Sequence, residues 1–282
     1  MRAALPVLAC LSLLAVPSAS HAQTLPPVIV DPADGGLSAS GPGQAGPGTA
    51  APPAAAAPLP LPSTPPPPVA RGLSRIAGRV TIAGLAPKLA NVPVGKDMKI
   101  CGTTKADEAL EIGAAGGIRG AVVWLTGGPA SQPAQKAAGK TPRVKLDQVA
   151  CQFVPHVIAA VAGSELDIVN SDPVLHNVHA RAEEKTVFNY AMPIKGYVIP
   201  RRLDTPGILA INCDAHSWMH ARIHVLPTAA FAVTDVRGDF HIDVPPGKYV
   251  LHLSHERLGQ REESVDLAAG DTLQHDISLT PR

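Results

Sequence analysis

Apolar and polar residues alternate with a period of two along much of the chain after Leu73. "RIAGRVTIAG" keeps the alternation until Gly84-Leu85-Ala86-Pro87 turns it. "IRGAVVWLTGG" is a short β-branched and aromatic run closed by Gly-Gly. Period two puts successive side chains on opposite faces of a strand, so both segments predict strands. From Arg143 to Leu226 the pattern recurs in "RVKLDQVACQF", "HVIAAVAGSELDIVN", "LHNVHA", "GYVIPRRL", "GILAIN" and "ARIHVLP". Turn residues separate them at Ala162-Gly163-Ser164, Ser171-Asp172-Pro173 and Thr205-Pro206-Gly207. Short strands with this punctuation predict an all-β sandwich. The stretch "VPVGKDMKICGTTKADEALEIGAAGG" reads as loop, and "PASQPAQKAAGKTP" as a polar connection.

The tail carries the cleanest alternation. In "FAVTDVRGDFHIDVPPGKYVLHLSHE" a turn at Val236-Arg237-Gly238 leads into a strand with Phe240, Ile242 and Val244 on one face. Pro245-Pro246-Gly247 turns the chain, and Tyr249, Leu251 and Leu253 return on one face, which predicts a β-hairpin. "ESVDLAAGDTLQHDISL" predicts two more strands about a Gly-Asp turn. No helical period follows the first two dozen residues.

The front of the chain breaks the pattern. Arg2, the apolar run Leu5 to Val16 and the small-x-small sequence Ser20-His21-Ala22 predict a cleaved secretory signal over residues 1–22. The apolar run is too short to span a bilayer, and no later stretch is long and apolar enough, so no membrane insertion is expected. Residues 23–72 are dominated by Pro, Ala, Gly and Ser and hold almost no charge. Such a segment buries too little apolar surface to offset its ordering entropy, and its proline runs favour extended polyproline II, so it is expected to be a disordered tether. The remainder divides into an N-terminal β segment (73–142), a central domain (143–226) and a C-terminal β segment (227–282). The expected location is periplasmic or secreted.

Composition changes this picture little. The 282 residues carry a formal net charge of +1, which offers no basic surface for nucleic acid. Cysteine changes it more. Removing the signal leaves Cys101, Cys151 and Cys213, an odd number for an oxidising compartment. Metal ligation is one reason for a thiol to stay reduced there. A disulfide between Cys101 and Cys151 is then one arrangement; three unpaired thiols or another pairing are the alternatives.

"CDAHSWMH", Cys213 to His220, places a thiol, an imidazole and a thioether at Cys213, His216 and Met219. A short loop between "GILAIN" and "ARIHV" can turn all three towards one point. "NSDPVLHNVH" offers His176 from another loop at the same end of the sandwich. Thiolate and thioether suit copper(I), imidazoles also accept copper(II), and a His2Cys plane with a long axial Met is a blue-copper arrangement. Met is a poor zinc ligand, and four protein ligands leave no open position for hydrolysis. On a strand His179 points to the face opposite His176, and it and His220 are expected to be exposed or locally hydrogen-bonded. His156, His224, His241, His252, His255 and His275 share no spacing and are expected at the surface. Trp218 reads either as a rim residue for a partner or as plain packing.

These residues resemble the cupredoxins. "NSDPVLHNVHA", "INCDAHSWM" and the closing "ARIHV" are similar to the family's His-Asn-Val-His segment and short Cys-x-x-His-x-x-Met loop, most of all in its amicyanin and plastocyanin-like members. The likeness covers Arg143 to Leu226. It implies a Greek-key β-sandwich with one type 1 copper ion held by His176, Cys213, His216 and axial Met219. It further implies that Asn177 ties the two ligand loops together, that electrons leave through the His216 edge, and that a redox protein docks there. Asp214 departs from the Ser or Thr that relatives often carry after the cysteine. The flanks, "IAGRVTIAG" and "AVTDVRGDFHIDVPPGKYVL", resemble carboxypeptidase regulatory-like or transthyretin-like sandwiches, with the central domain either nested in a second small sandwich or in tandem with it. The expected function is single-electron transfer. Copper storage or delivery without electron traffic, and a metal-free envelope adhesion module, are the rivals. No catalytic triad or carboxylate pair is placed for an enzyme.

Overall fold

The structure is a computed structural model that describes residues 67–281 other than 86, 88 and 132–140. The expected signal and most of the expected tether lie outside the described residues. The chain is nearly all β, and its one α-helix among the described residues is the single turn Met98–Cys101. No helix among these residues is long and apolar enough to cross a membrane.

Residues 143–226 build two sheets. In one, Tyr197–Leu203 lies beside Ser164–Asn170, which pairs in parallel with Arg143–Val149, followed by Gln152–Val154. In the other the order is Lys185–Met192, His176–Ala182, Gly207–Asn212, His220–Leu226 and Val157–Val161, the last pair parallel. The alternation in sequence becomes alternation in burial: along Ser164–Asn170 every second residue is buried. Leu146, Phe153, Leu166 and Ile168 face Val178, Ile211 and Ile223 in one core. Each such side chain contributes about 1.5–3 kcal/mol through removal of apolar surface from water.

The flanking segments close on each other. Ser74–Ile82 pairs antiparallel with Asp239–Val244 and in parallel with Thr272–Gln274 and Ile277–Leu279. Val122–Thr126 lies between Phe231–Val233 and Gly247–His255, and Gly259–Leu267 completes that sheet. Ile76, Val80, Leu125, Phe240, Ile242 and Leu251 fill a second core. Residues on both sides of the central segment therefore share sheets and a core. Gly238 makes one of these contacts possible: at φ 81° its carbonyl accepts the Val80 N–H at 2.8 Å, and a Cβ there would sit 2.1 Å from the Val80 oxygen.

The tail hairpin is not formed. Asp239–Val244 pairs with Ser74–Ile82, whereas Gly247–His255 pairs with Gly259–Leu267 and Val122–Thr126. The Pro245-Pro246 turn thus carries the chain from one sheet to the other. Phe240, Ile242 and Val244 and, opposite them, Tyr249, Leu251 and Leu253 are buried as the alternation requires. A hairpin and an arch between sheets have the same period-two pattern, so alternation alone does not separate them. Lys185–Met192 is a strand that alternation did not announce. It lies at a sheet edge and is largely exposed, so its sequence carries little apolar signal.

Candidate metal centre

Cys213 follows the strand Gly207–Asn212, and His220 opens the next strand. The loop between them is closed by its own backbone: the Cys213 N–H donates to the Met219 carbonyl at 3.2 Å and the Met219 N–H to the His216 carbonyl at 3.0 Å. His176 begins the neighbouring strand His176–Ala182. This geometry brings donor atoms of His176, Cys213 and His216 within 4.8 Å of one another. Both imidazoles have 0% exposure, and Cys213 and Met219 are buried with them.

Hydrogen bonds define which nitrogens are available. His176 Nε2 lies 2.9 Å from Asp172 Oδ2, and His216 Nε2 lies 2.9 Å from Asp97 Oδ2. Carboxylate oxygens only accept, so the hydrogen-bond network assigns the proton of each ring to Nε2. Each Nδ1 is then a lone pair, and the two Nδ1 atoms face each other at 2.9 Å. Two opposed lone pairs in a buried site repel unless a positive charge sits between them. The Cys213 sulfur stands 3.7 Å from His216 Nδ1 and accepts the Asn177 backbone N–H at 3.4 Å. Two imidazole nitrogens and a sulfur, each with its lone pair turned inward, fit a borderline-soft transition metal such as copper. Burial pushes the Cys213 thiol up from its ordinary value, with the backbone N–H groups of Asn177, Ala215 and His216 opposing it. Burial likewise lowers His176, which favours the neutral ring a metal needs.

Asn177 joins the ligand loops. Its Oδ1 accepts the N–H groups of Asp214 at 2.5 Å and Ala215 at 3.3 Å, and its Nδ2 donates to Asp214 Oδ2 at 2.9 Å. Asp214 keeps this connection despite departing from the Ser or Thr pattern. Hydrogen bonds from His179, Asn189 and Asn177 hold its carboxyl below the usual range. His179 is thereby accounted for: it is buried, bonded to Asp214 and Thr186, and separate from the donor group.

Cys101 and Cys151 form a disulfide, and Cys213 is the free thiol among the described residues. The bridge ties the Asp97 turn, through Cys101, to Cys151, whose N–H Asp172 holds. On one side, the N–H groups of Ile100 and Cys101 both donate to the Asp97 carbonyl at 2.9 Å, which makes Asp97 to Cys101 a tight turn. On the other, Asp172 accepts the N–H groups of Ala150 and Cys151 at 2.7 Å as well as His176 Nε2. Trp218 donates its Nε1–H to the Cys151 carbonyl at 3.0 Å and packs its ring 4.9 Å from that of His216.

Several expectations are corrected here. His216 presents no edge to solvent, because the Asp97 turn covers it. Of the two readings of Trp218, packing is the one found, since it is buried. His224 and His255 are buried rather than at the surface. Asp97 and Asp172 were not singled out as site residues. Asp172 was visible only as a turn former, and Asp97 lies 119 residues from its partner, in a segment with no periodic pattern.

No family model matches the chain, and no curated protein does. Solved structures show partial likeness. A copper-containing nitrite reductase from Thermus scotoductus SA-01 aligns at 21% identity over 36% of this chain and 27% of its own, with a TM-score of 0.28. A purple cupredoxin from Nitrosopumilus maritimus aligns at 17% identity over 30% of this chain and 99% of its own, with a TM-score of 0.26. Amicyanin from Paracoccus versutus aligns at 18% identity over 36% of this chain and 97% of its own, with a TM-score of 0.28. The chain therefore spans about a quarter of the nitrite reductase and nearly all of the two small proteins.

Proposed function

We propose that the chain is an exported copper protein that carries single electrons. The observation that carries this reading is the pair of Nδ1 lone pairs from His176 and His216, opposed at 2.9 Å beside the Cys213 sulfur. These three atoms and the Met219 thioether would hold copper, which would supply a one-electron couple. The residues around it keep the donors in place. Asp172 and Asp97 fix the imidazole tautomers, Asn177 locks the Cys213 loop to the His176 strand, and the buried surroundings exclude water. A site that does not move when its charge changes has a low barrier to electron transfer.

The covered His216 edge calls for another exit. Leu175, 48% exposed, precedes His176, and Ile194, 62% exposed, lies on the connection after Met192. Asn170 ties these segments together, donating to the carbonyls of Val174 at 3.0 Å and Met192 at 2.8 Å. The surface that carries these two exposed side chains is the one we assign to a redox partner. The central segment 143–226 acts as a copper domain inserted into a sandwich formed by its two flanks, which serves as scaffold. A leader at the N-terminus delivers the chain to the periplasm or beyond.

Storage or delivery of copper is the second reading, favoured by the complete burial of both imidazoles. Protein-film voltammetry separates the two. A reversible one-electron wave at high scan rates supports the carrier. A sluggish wave, with quick transfer of copper to an apo-acceptor, supports storage or delivery.

A further inference from the structure

A second group of metal-binding side chains lies apart from Cys213. We propose that His156, His220 and Glu256 form a separate site for a divalent cation of the zinc class, fastening the turn after Gly247–His255 to the strand His220–Leu226. His156 comes from the turn before Val157–Val161, His220 opens its strand, and Glu256 lies between Gly247–His255 and Gly259–Leu267. One donor atom of each lies within 4.8 Å of the other two.

The local geometry aims both rings at carboxylates. His156 turns Nδ1 to the His220 carbonyl at 3.0 Å and Nε2 to Glu256 Oε2 at 3.0 Å. His220 turns Nδ1 to the Trp218 carbonyl at 3.4 Å and Nε2 towards Asp107 Oδ1 at 3.7 Å. Backbone carbonyls accept from Nδ1 of both rings and turn each Nε2 towards a carboxylate oxygen, so a cation binds there by displacing the Nε2 proton of His156 from its contact with Glu256. Glu256 already gives its other oxygen, Oε1, to Arg222 Nε at 3.2 Å, so Oε2 is the atom it offers. Asp107 adds a carboxylate oxygen beside His220 Nε2. Two imidazoles and carboxylate oxygens, without sulfur, suit zinc(II) and not copper(I). The route in is open, since the side chains of His220 and Asp107 are 26% and 22% exposed.

The site joins residues of the central segment to the flanking sandwich, so metal binding should brace one against the other. Binding to the folded chain alone raises its stability by mass action. The test uses the full mature chain, loaded anaerobically with one equivalent of copper(I), which the thiolate takes in preference. Zinc(II) is then titrated into the wild type and into His156→Gln and Glu256→Gln, with bound metal counted after dialysis. The wild type should hold one zinc more than either variant, or bind it at least tenfold more tightly. Its melting temperature should rise with zinc while theirs does not. Because the readout is a difference between proteins, it stands whether or not the His176 site takes copper. If a variant does not fold, X-ray absorption at the zinc edge of the wild type gives the answer through its first shell. Two imidazole nitrogens with oxygen and no sulfur support the site. Equal zinc content in all folded proteins, no zinc on the copper-loaded wild type at micromolar concentration, or sulfur in the shell overturns it.

Discussion

The carboxylate of Asp97 lies 2.9 Å from Nε2 of His216 and covers the imidazole edge that the resemblance to cupredoxins implies to be the exit for electrons. Asp97 adopts φ 52°, a left-handed conformation that Asn tolerates well. Asp97→Asn therefore keeps the turn and an accepting oxygen but removes the negative charge. Loss of that charge disfavours copper(II) more than copper(I). Copper(II) affinity should fall roughly ten- to a hundredfold, and the reduction potential should rise. Competition with a chelator and voltammetry measure the two; unchanged values would remove Asp97 from the account.

Asp172 has a heavier structural duty, since it accepts from Ala150, Cys151 and His176 and is itself buried. Asp172→Ala strands the buried Cys151 N–H and the buried His176 Nε2–H, and removes the acceptor of the half-buried Ala150 N–H. Each unsatisfied donor costs about 1–3 kcal/mol, so the metal-free chain should lose about 3 kcal/mol or more. Urea unfolding measures this. A loss below about 1 kcal/mol would mean that these bonds are readily replaced by water.

Acid should weaken the metal-free fold before its carboxylates protonate. Burial lowers His224 and His255 to about 4 from an ordinary 6.5. Arg222, Glu256 and His255 act on His224, whose Nδ1 has no hydrogen-bond partner among the described residues; Glu256 and His156 act on His255. Below pH 6.5 the unfolded chain takes up protons that the folded chain refuses until about pH 4. Stability is thus complete above pH 6.5 and falls as pH drops towards 4, by up to about 3 kcal/mol for each ring. The urea midpoint should be lower at pH 4.5 than at 7.5, and less so in His224→Gln. Equal midpoints at the two pH values would contradict it.

What could be read from sequence follows from how local each signal is. Cys213, His216 and Met219 lie within seven residues, so one loop announces them, and His176 stands in a segment with its own turn signal. Alternation marks the buried faces of Ser164–Asn170 and Asp239–Val244 directly. It does not say which strands pair, which is why the turn at Pro245-Pro246 reads as a hairpin while the chain crosses between sheets. Asp97 and Glu256 act through partners about a hundred residues away, on a loop and a turn with no period of their own. Such contacts are set by the tertiary fold and leave no local trace.

The most direct test of the copper centre is the visible spectrum of the purified metal-free chain after one equivalent of copper(II) is added. The account predicts an intense thiolate-to-copper band that Cys213→Ser abolishes. A chain that folds yet stays colourless, or a band that survives the loss of the Cys213 sulfur, would contradict it.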